Sequence, residues 1–236
     1  MALTALFLNC TLKYAPETSN TQALIDKAAA LFEEAGVQTE SVRVLDYDVR
    51  FGVESSIGKG DEWPVILEKV LAADILVIGM PIWFGVRSSV AQLVMERLDG
   101  TYRGADPETG QYPLYGKVAG VIVTGNEDGA HDCASNTLFN LTHLGCTVPP
   151  NVDCYWVGDA GPGPSYLEAD GEHHLYTNRT VRYMVENLTW FAGLLADHPI
   201  PTNLRELDAK AWDACGQAAQ DGRVARRGQS KSAPEV

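Results

Sequence analysis

Residues 75–86 read Ile-Leu-Val-Ile-Gly-Met-Pro-Ile-Trp-Phe-Gly-Val. From Ile75 to Met80 the run is apolar without alternation, as in a strand covered on both faces in the middle of a parallel sheet. It is too short for a bilayer span, which needs ~20 apolar residues. Pro81 is expected to stop the strand, because it has no N–H to give to a ladder. Outward from this stretch, Ala5–Asn9 and Val118–Val123 are further short apolar runs, Glu40–Leu45 alternates, and Val152–Val157 supplies a fifth strand. Helical spacing falls between them. It is carried by Leu24, Ala28, Leu31, Phe32 and Ala35, by Trp63, Ile66, Leu67, Val70 and Leu71, and by Val90, Leu93, Val94 and Leu98. A weaker helix runs from about His131 to Leu144, and a last one carries Val181, Met184, Val185, Leu188, Ala192 and Leu195. Ser19 with Gln22 and Ser89 with Gln92 read as capping boxes, and Gly36 as a C-terminal cap. Five strands alternating with five helices predict an α/β fold, a doubly wound parallel sheet with helices on both faces.

The 236 residues hold one such domain, expected over residues 1–200, with a C-terminal extension over 201–236 that is expected to be disordered from about residue 222. Lys and Arg number 18 against 31 Asp and Glu, a net charge of −13. That acidity disfavours nucleic acid and anionic membrane as partners, and no membrane insertion is expected. The first apolar run lacks a preceding basic segment, so no secretory signal is expected. The five cysteines are scattered and contain no Cys-x-x-Cys. That argues against a disulfide framework, a zinc knuckle or a compact iron–sulfur motif, and a reducing cytoplasm is the expected setting.

In open parallel sheets ligands bind at the carboxyl ends of the strands, and three loops leave such ends. Asn9–Thr21 is rich in hydroxyls and amides where a helix begins. Such a loop binds a phosphate through neutral donors and the helix dipole; the alternative is that Ser19 merely caps the helix. It matches neither G-x-x-x-x-G-K-[ST] nor G-x-G-x-x-G. In the second loop, Trp83 and Phe84 beside Gly85 either wall a flat pocket or plug a hydrophobic hole. In the third, Thr124-Gly125-Asn126 suits close approach of backbone to a ligand. His131, just beyond, is either a surface or capping histidine or a proton donor, since imidazole ordinarily titrates near neutrality. Cys10 lacks an evident base and reads as a buried thiol. No spacing among the aspartates or at His173 and His174 matches a known metal site, and no metal is expected.

The pattern resembles the flavodoxin-like fold, and specifically the NADPH-dependent FMN reductase family. The resemblance spans roughly Leu3 to Leu195 and rests on three stretches. They are Ser19-Asn20-Thr21, the turn Pro81-Ile82-Trp83-Phe84-Gly85, and a helix start from Ser89 to Leu93 with Gln92. It implies a sheet of order 2-1-3-4-5 and non-covalently bound FMN. Ser19, Asn20 and Thr21, with Thr11, would hold the phosphate. Pro81, Ile82, Trp83, Phe84 and Gly85 would meet the flavin ring, with Thr124, Gly125 and Asn126 on its other side. NADPH or NADH would supply hydride, and electrons would leave to a small-molecule acceptor such as a quinone or free flavin. His131 is the candidate proton donor. A homo-oligomer, dimer or tetramer, is also implied. The first loop departs from the family: it opens Asn9-Cys10 rather than Gly-Ser and is longer, so Thr11 stands in for a serine. The cysteine cluster of iron–sulfur relatives is missing over the same span. Two alternatives are a non-enzymatic electron carrier of flavodoxin type and a flavin-free module. The long excursions Asp99–Gly116 and Gly158–Leu175 favour the enzyme, as covers for a substrate pocket.

Overall fold

Parallel pairing sets the architecture. The computed structural model describes residues 2–161 and 163–229. Its strands are β1 (Thr4–Asn9), β2 (Gln38–Arg43), β3 (Ile75–Trp83), the two-residue β4 (Val86–Arg87), β5 (Val118–Gly125) and β6 (Asp153–Val157). Five run parallel in the order β2-β1-β3-β5-β6, and β4 folds back antiparallel on the end of β3. Without that short hairpin partner the order is the expected 2-1-3-4-5.

The helices are α1 (Asn20–Glu34), α2 (Trp63–Ala72), α3 (Ser89–Asp99), α4 (Ala130–His143), α5 (Leu175–Asp197) and α6 (Leu204–Gln229). Leu6, Leu8, Leu76, Ile78, Val121 and Val123 pack with α2, α3 and α4 on one face. Ala5, Phe7, Ile75, Val77 and Ile122 pack with α1 and α5 on the other. Coverage on both faces is why the central strands show no alternation. Met1–Gly104 and Tyr112–Ile200 make one compact unit, and Ala105–Gln111 with the chain from Pro201 onward makes a second. α6 runs on through residue 229. Residues 230–236 lie outside the described residues. Among the described residues, no helix is long and apolar enough to cross a membrane.

Two local expectations are corrected. β3 does not stop at Pro81 but runs on to Trp83, with Pro81 opposite Thr124 of β5. Gly79 faces β1, since its carbonyl accepts from the Cys10 N–H (2.7 Å). Two residues later Pro81 faces the same side, where β1 has already ended, so its missing N–H costs no ladder bond. The cap of α3 is Ser88 rather than Ser89: Ser88 Oγ accepts from the Ala91 N–H (3.2 Å) and donates to the Cys10 carbonyl (2.8 Å). Ser19 does cap α1, accepting from the Gln22 N–H (3.1 Å). Gln22 does not return the bond; its Oε1 accepts from Asn9 Nδ2 (2.7 Å) instead. Gly36 ends α1 at φ +81°, as the C-terminal cap requires.

One ion pair anchors the chain between β2 and α2. Arg97 and Asp61 are both fully buried and meet through two bonds, of 3.0 and 2.7 Å. The guanidinium also donates to the Glu54 and Arg50 carbonyls and lies 5.5 Å from the Trp63 ring centre. The Arg97 bond holds the Asp61 carboxyl well below the usual carboxylate range. Asp61→Asn, which strands the buried guanidinium, is expected to cost about 3–5 kcal/mol in urea unfolding. Because the folded-state value is depressed, Asp61 stabilises fully above the ordinary carboxylate value of about 4 and the contribution fades as pH falls below it. The variant is expected to lose that part of the acid dependence; unfolding midpoints equal to wild type would contradict this role.

Candidate functional site

β1, β3 and β5 end at one edge, and the loops leaving them close on a cleft of about 300 Å³. That is the small end of the range for ligand sites, roughly 300–1,000 Å³. One wall is the β1–α1 loop with Thr11, Leu12 and Lys13, continued by Asn20 and Thr21 in the first turn of α1. The second wall is Pro81, Ile82 and Trp83 at the end of β3, and the third is Thr124–Glu127 after β5. Trp156 of β6 and Ser165 and Tyr166 of the following excursion complete it.

The first two loops meet because a glycine lets them. A Cβ on Gly79 would lie 2.6 Å from Ile25 Cδ1 and 3.2 Å from Thr21 Cγ2, so only glycine admits the start of α1 so close to β3. Thr21 Oγ1 and Thr124 Oγ1 then share a buried hydrogen bond of 2.8 Å, joining the first wall to the third. N–H groups in a helix's first turn have no acceptor within the helix. They converge here with the Asn20 and Thr21 side chains and the Lys13 cation. Lys13 Nζ reaches the Thr18 carbonyl (3.0 Å). This is a donor set for an anion at a positive dipole end. Ile82 and Trp83 at the end of β3 add an apolar, aromatic wall, and Trp156 lines the cleft packed against Tyr166. Phosphate donors at one end and an aromatic slot at the other fit a phosphorylated planar ligand such as FMN.

The turn after β3 is a two-residue hairpin with Phe84 at φ +48° and Gly85 at φ +78°. The Phe84 N–H donates to Glu127 Oε1 (3.0 Å), and the residue is 91% exposed. Neither Phe84 nor Gly85 lines the cleft, and Ser19 is buried as the α1 cap. The remaining expected cofactor residues, namely Thr11, Asn20, Thr21, Pro81, Ile82, Trp83, Thr124, Gly125 and Asn126, come together there.

His131 does not join that lining. It sits in the first turn of α4 with Nε2 3.0 Å from the Tyr155 hydroxyl, which in turn donates to the Tyr176 hydroxyl (3.1 Å). Burial pushes the Cys10 thiol far up, the inert state expected of it. His173 Nδ1 bonds Asp170 (2.7 Å) and His174 Nδ1 bonds Thr177 (2.9 Å).

The two excursions differ. Gly158–Leu175 folds back on the site. Asn126 Nδ2 donates to the Gly163 carbonyl (2.9 Å), and the Leu167 N–H donates to Asn20 Oδ1 (3.1 Å). Tyr166 packs edge-on against Trp156, with ring centres 5.6 Å apart. In the Asp99–Gly116 excursion, Tyr112 meets Tyr102 and Tyr115 edge to face, and none of the three lines the cleft. Trp156 and Tyr166, the aromatics at and within the Gly158–Leu175 excursion, do reach the cleft, whereas Lys13, Glu127 and Ser165 were not singled out by the sequence as ligand contacts. One signal was there: Lys13 is the lone cation of the first loop.

Comparisons with known proteins agree with this geometry. Residues 4–161 match the family model described as NADPH-dependent FMN reductase. The chain is 44% identical over 230 residues to 8-demethyl-8-aminoriboflavin-5'-phosphate synthase of Streptomyces davaonensis, covering 94% of this chain and 86% of that protein. A solved structure of RosB with the bound intermediate 8-demethyl-8-formylriboflavin-5'-phosphate superposes with a TM-score of 0.81 at 43% identity, covering 94% of this chain and 88% of that one. A match of 44% identity over 199 residues to the divalent metal cation transporter MntH of Mycobacterium bovis covers 82% of this chain but 29% of that protein.

The hairpin tip leans on Gly129, at φ +126°, where a Cβ would collide with the Gly85 carbonyl. Gly129→Ala is expected to cost about 1–3 kcal/mol in denaturant unfolding and to shift the emission of half-exposed Trp83 as the tip is pushed away. Unchanged stability and emission would show that the hairpin does not depend on this contact.

Proposed function

The chain belongs to the NADPH-dependent FMN reductase family, and from that premise we propose that it is an FMN-dependent oxidoreductase that draws electrons from NADPH or NADH and passes them to a small organic acceptor. The observation that carries the reading is the convergence of α1's first turn, Lys13 and the Ile82–Trp83 wall on one cleft. Bound FMN would supply the hydride-accepting centre. The protein's part is to bind and orient. Thr11, Asn20 and Thr21 would hold the phosphate with Lys13, Trp83 would flank the ring, and Thr124–Asn126 would close the third side. The Gly158–Leu175 excursion, tied to Asn20 and Asn126, would shield the site from water.

Four cysteines are buried and free and a fifth is exposed and free, which supports a reducing, cytoplasmic setting. Tyr14, Trp83, Phe84 and Val86 are apolar, at least 49% exposed and carried on the site's own loops, which supports a homo-oligomer.

One observation favours a second reading. The relative at 44% identity is named for making a flavin phosphate altered at position 8, and the matching solved structure holds an 8-formyl flavin phosphate. In that reading the flavin in the cleft is the substrate and leaves changed.

Anaerobic mixing of the FMN-loaded protein with NADPH or NADH separates the readings. The oxidoreductase is expected to lose its oxidised-flavin absorption, recover it when a quinone is added, and yield FMN of unchanged mass. No bleaching by either nucleotide would overturn the reading and leave the electron carrier or the flavin-modifying enzyme. Trp83→Ala is expected to weaken FMN binding by about tenfold or more, since one stacked aromatic contributes ~1–3 kcal/mol. Equal affinity in variant and parent would remove Trp83 from the site.

A further inference from the structure

We propose that Glu127 is a positioning residue that fixes the Trp83–Phe84 hairpin against the cleft and, through its charge, sets the redox poise of flavin bound there. The inference rests on the flavin reading of the cleft. Phe84 is a non-glycine residue at φ +48° that is 91% exposed, so core packing does not hold it there. The two-residue turn requires positive φ at both positions, and at a non-glycine residue that conformation is strained unless its surroundings support it. Here the Phe84 N–H is bound at 3.0 Å by Glu127 Oε1, which reaches across from the loop after β5. A carboxylate of the protein thus takes the Phe84 N–H, which the flavin ring would otherwise be free to meet.

The consequence is electrostatic. The described lining carries two charged side chains, Lys13 and Glu127, on different loops. Lys13 stands at the hydroxyl-rich, anion-binding end. Glu127 lines the third wall and its carboxylate reaches the Phe84 N–H, next along the chain from the aromatic Trp83. The cleft is thus polarised, with a cation where the phosphate would lie and an anion where the ring would lie. Reduction adds electrons, and at neutral pH negative charge, to the ring. A fixed carboxylate in the same wall opposes that addition and binds the oxidised ring better than the reduced one. Bound flavin is then held as a stronger reductant than it would be beside a neutral side chain, which suits passing electrons onward.

The midpoint potential of the FMN-loaded protein tests this without reference to turnover. Glu127→Gln keeps an acceptor for the Phe84 N–H and removes the charge. It is expected to favour reduced over oxidised flavin about tenfold, which for a two-electron couple is an upward shift of about 30 mV. Glu127→Ser, a second way to remove the charge, is expected to shift the same way. Glu127→Asp keeps the charge and is expected to stay near wild type. Asp128→Asn, at a residue that does not line the cleft, is expected to leave the potential unchanged. A Gln variant at the wild-type potential, or an equal shift from Asp128→Asn, would overturn the role of Glu127 with the flavin reading intact. A wild-type protein that retains no flavin would overturn that reading, and this inference with it.

Discussion

Parallel pairing forces the ends of β1, β3 and β5 onto one edge, and the site depends on that constraint. Register places Asn9 beside Gly79, and Gly79 beside Ile122, so the strands finish within a few residues of each other. Each must then turn away into a helix on one face or the other. The space left where α1 departs to one face, and α3 and α4 to the other, is the cleft. No special side chain is needed to create it. Side chains are needed to decide what it holds, and those present divide it into a donor-rich end at α1 and an aromatic end at the β3 hairpin.

Small polar contacts keep the loops in register with the sheet. The Thr21–Thr124 hydroxyl pair, the Ser88 bond to the Cys10 carbonyl and the Asn9–Gln22 amide bond all lie within this edge. Each ties a buried or half-buried polar group across two loops, and an intramolecular hydrogen bond of this kind contributes about 0.5–1.5 kcal/mol. Binding geometry and stability therefore draw on the same groups. The Arg97–Asp61 pair does comparable work further away, anchoring the chain before α2.

The sheet was legible because both of its faces are covered. Ile75–Met80 and Val118–Val123 announce themselves as wholly apolar runs, and the helices between them keep one apolar stripe each. What misled was reading a residue type without its neighbours. Pro81 looked like a stop because proline cannot donate, yet its missing N–H faces the side where β1 has ended. Ser89 looked like a cap from its distance to Gln92, but Ser88 takes the position because its hydroxyl also reaches the Cys10 carbonyl. β4 is two residues long and carries no periodicity. At the site, residues on the three strand-end loops were legible from loop composition, since hydroxyls, glycines and paired aromatics mark ligand loops. The bond from the Phe84 N–H to Glu127 was not, because it follows from how two separate loops fold together. His131 met every local criterion and still turned to Tyr155, which sequence spacing does not reveal.

A cleft that is cationic and hydroxyl-lined at one end and flat at the other should recognise a flavin largely through its phosphate. Titration of flavin-free protein with FMN and with riboflavin, followed by flavin fluorescence, tests that claim most directly. The account predicts tight quenching by FMN and binding of riboflavin at least about a hundredfold weaker, as expected when two or more charge-assisted bonds are lost. Equal affinity for the two flavins, or quenching by neither, would contradict it.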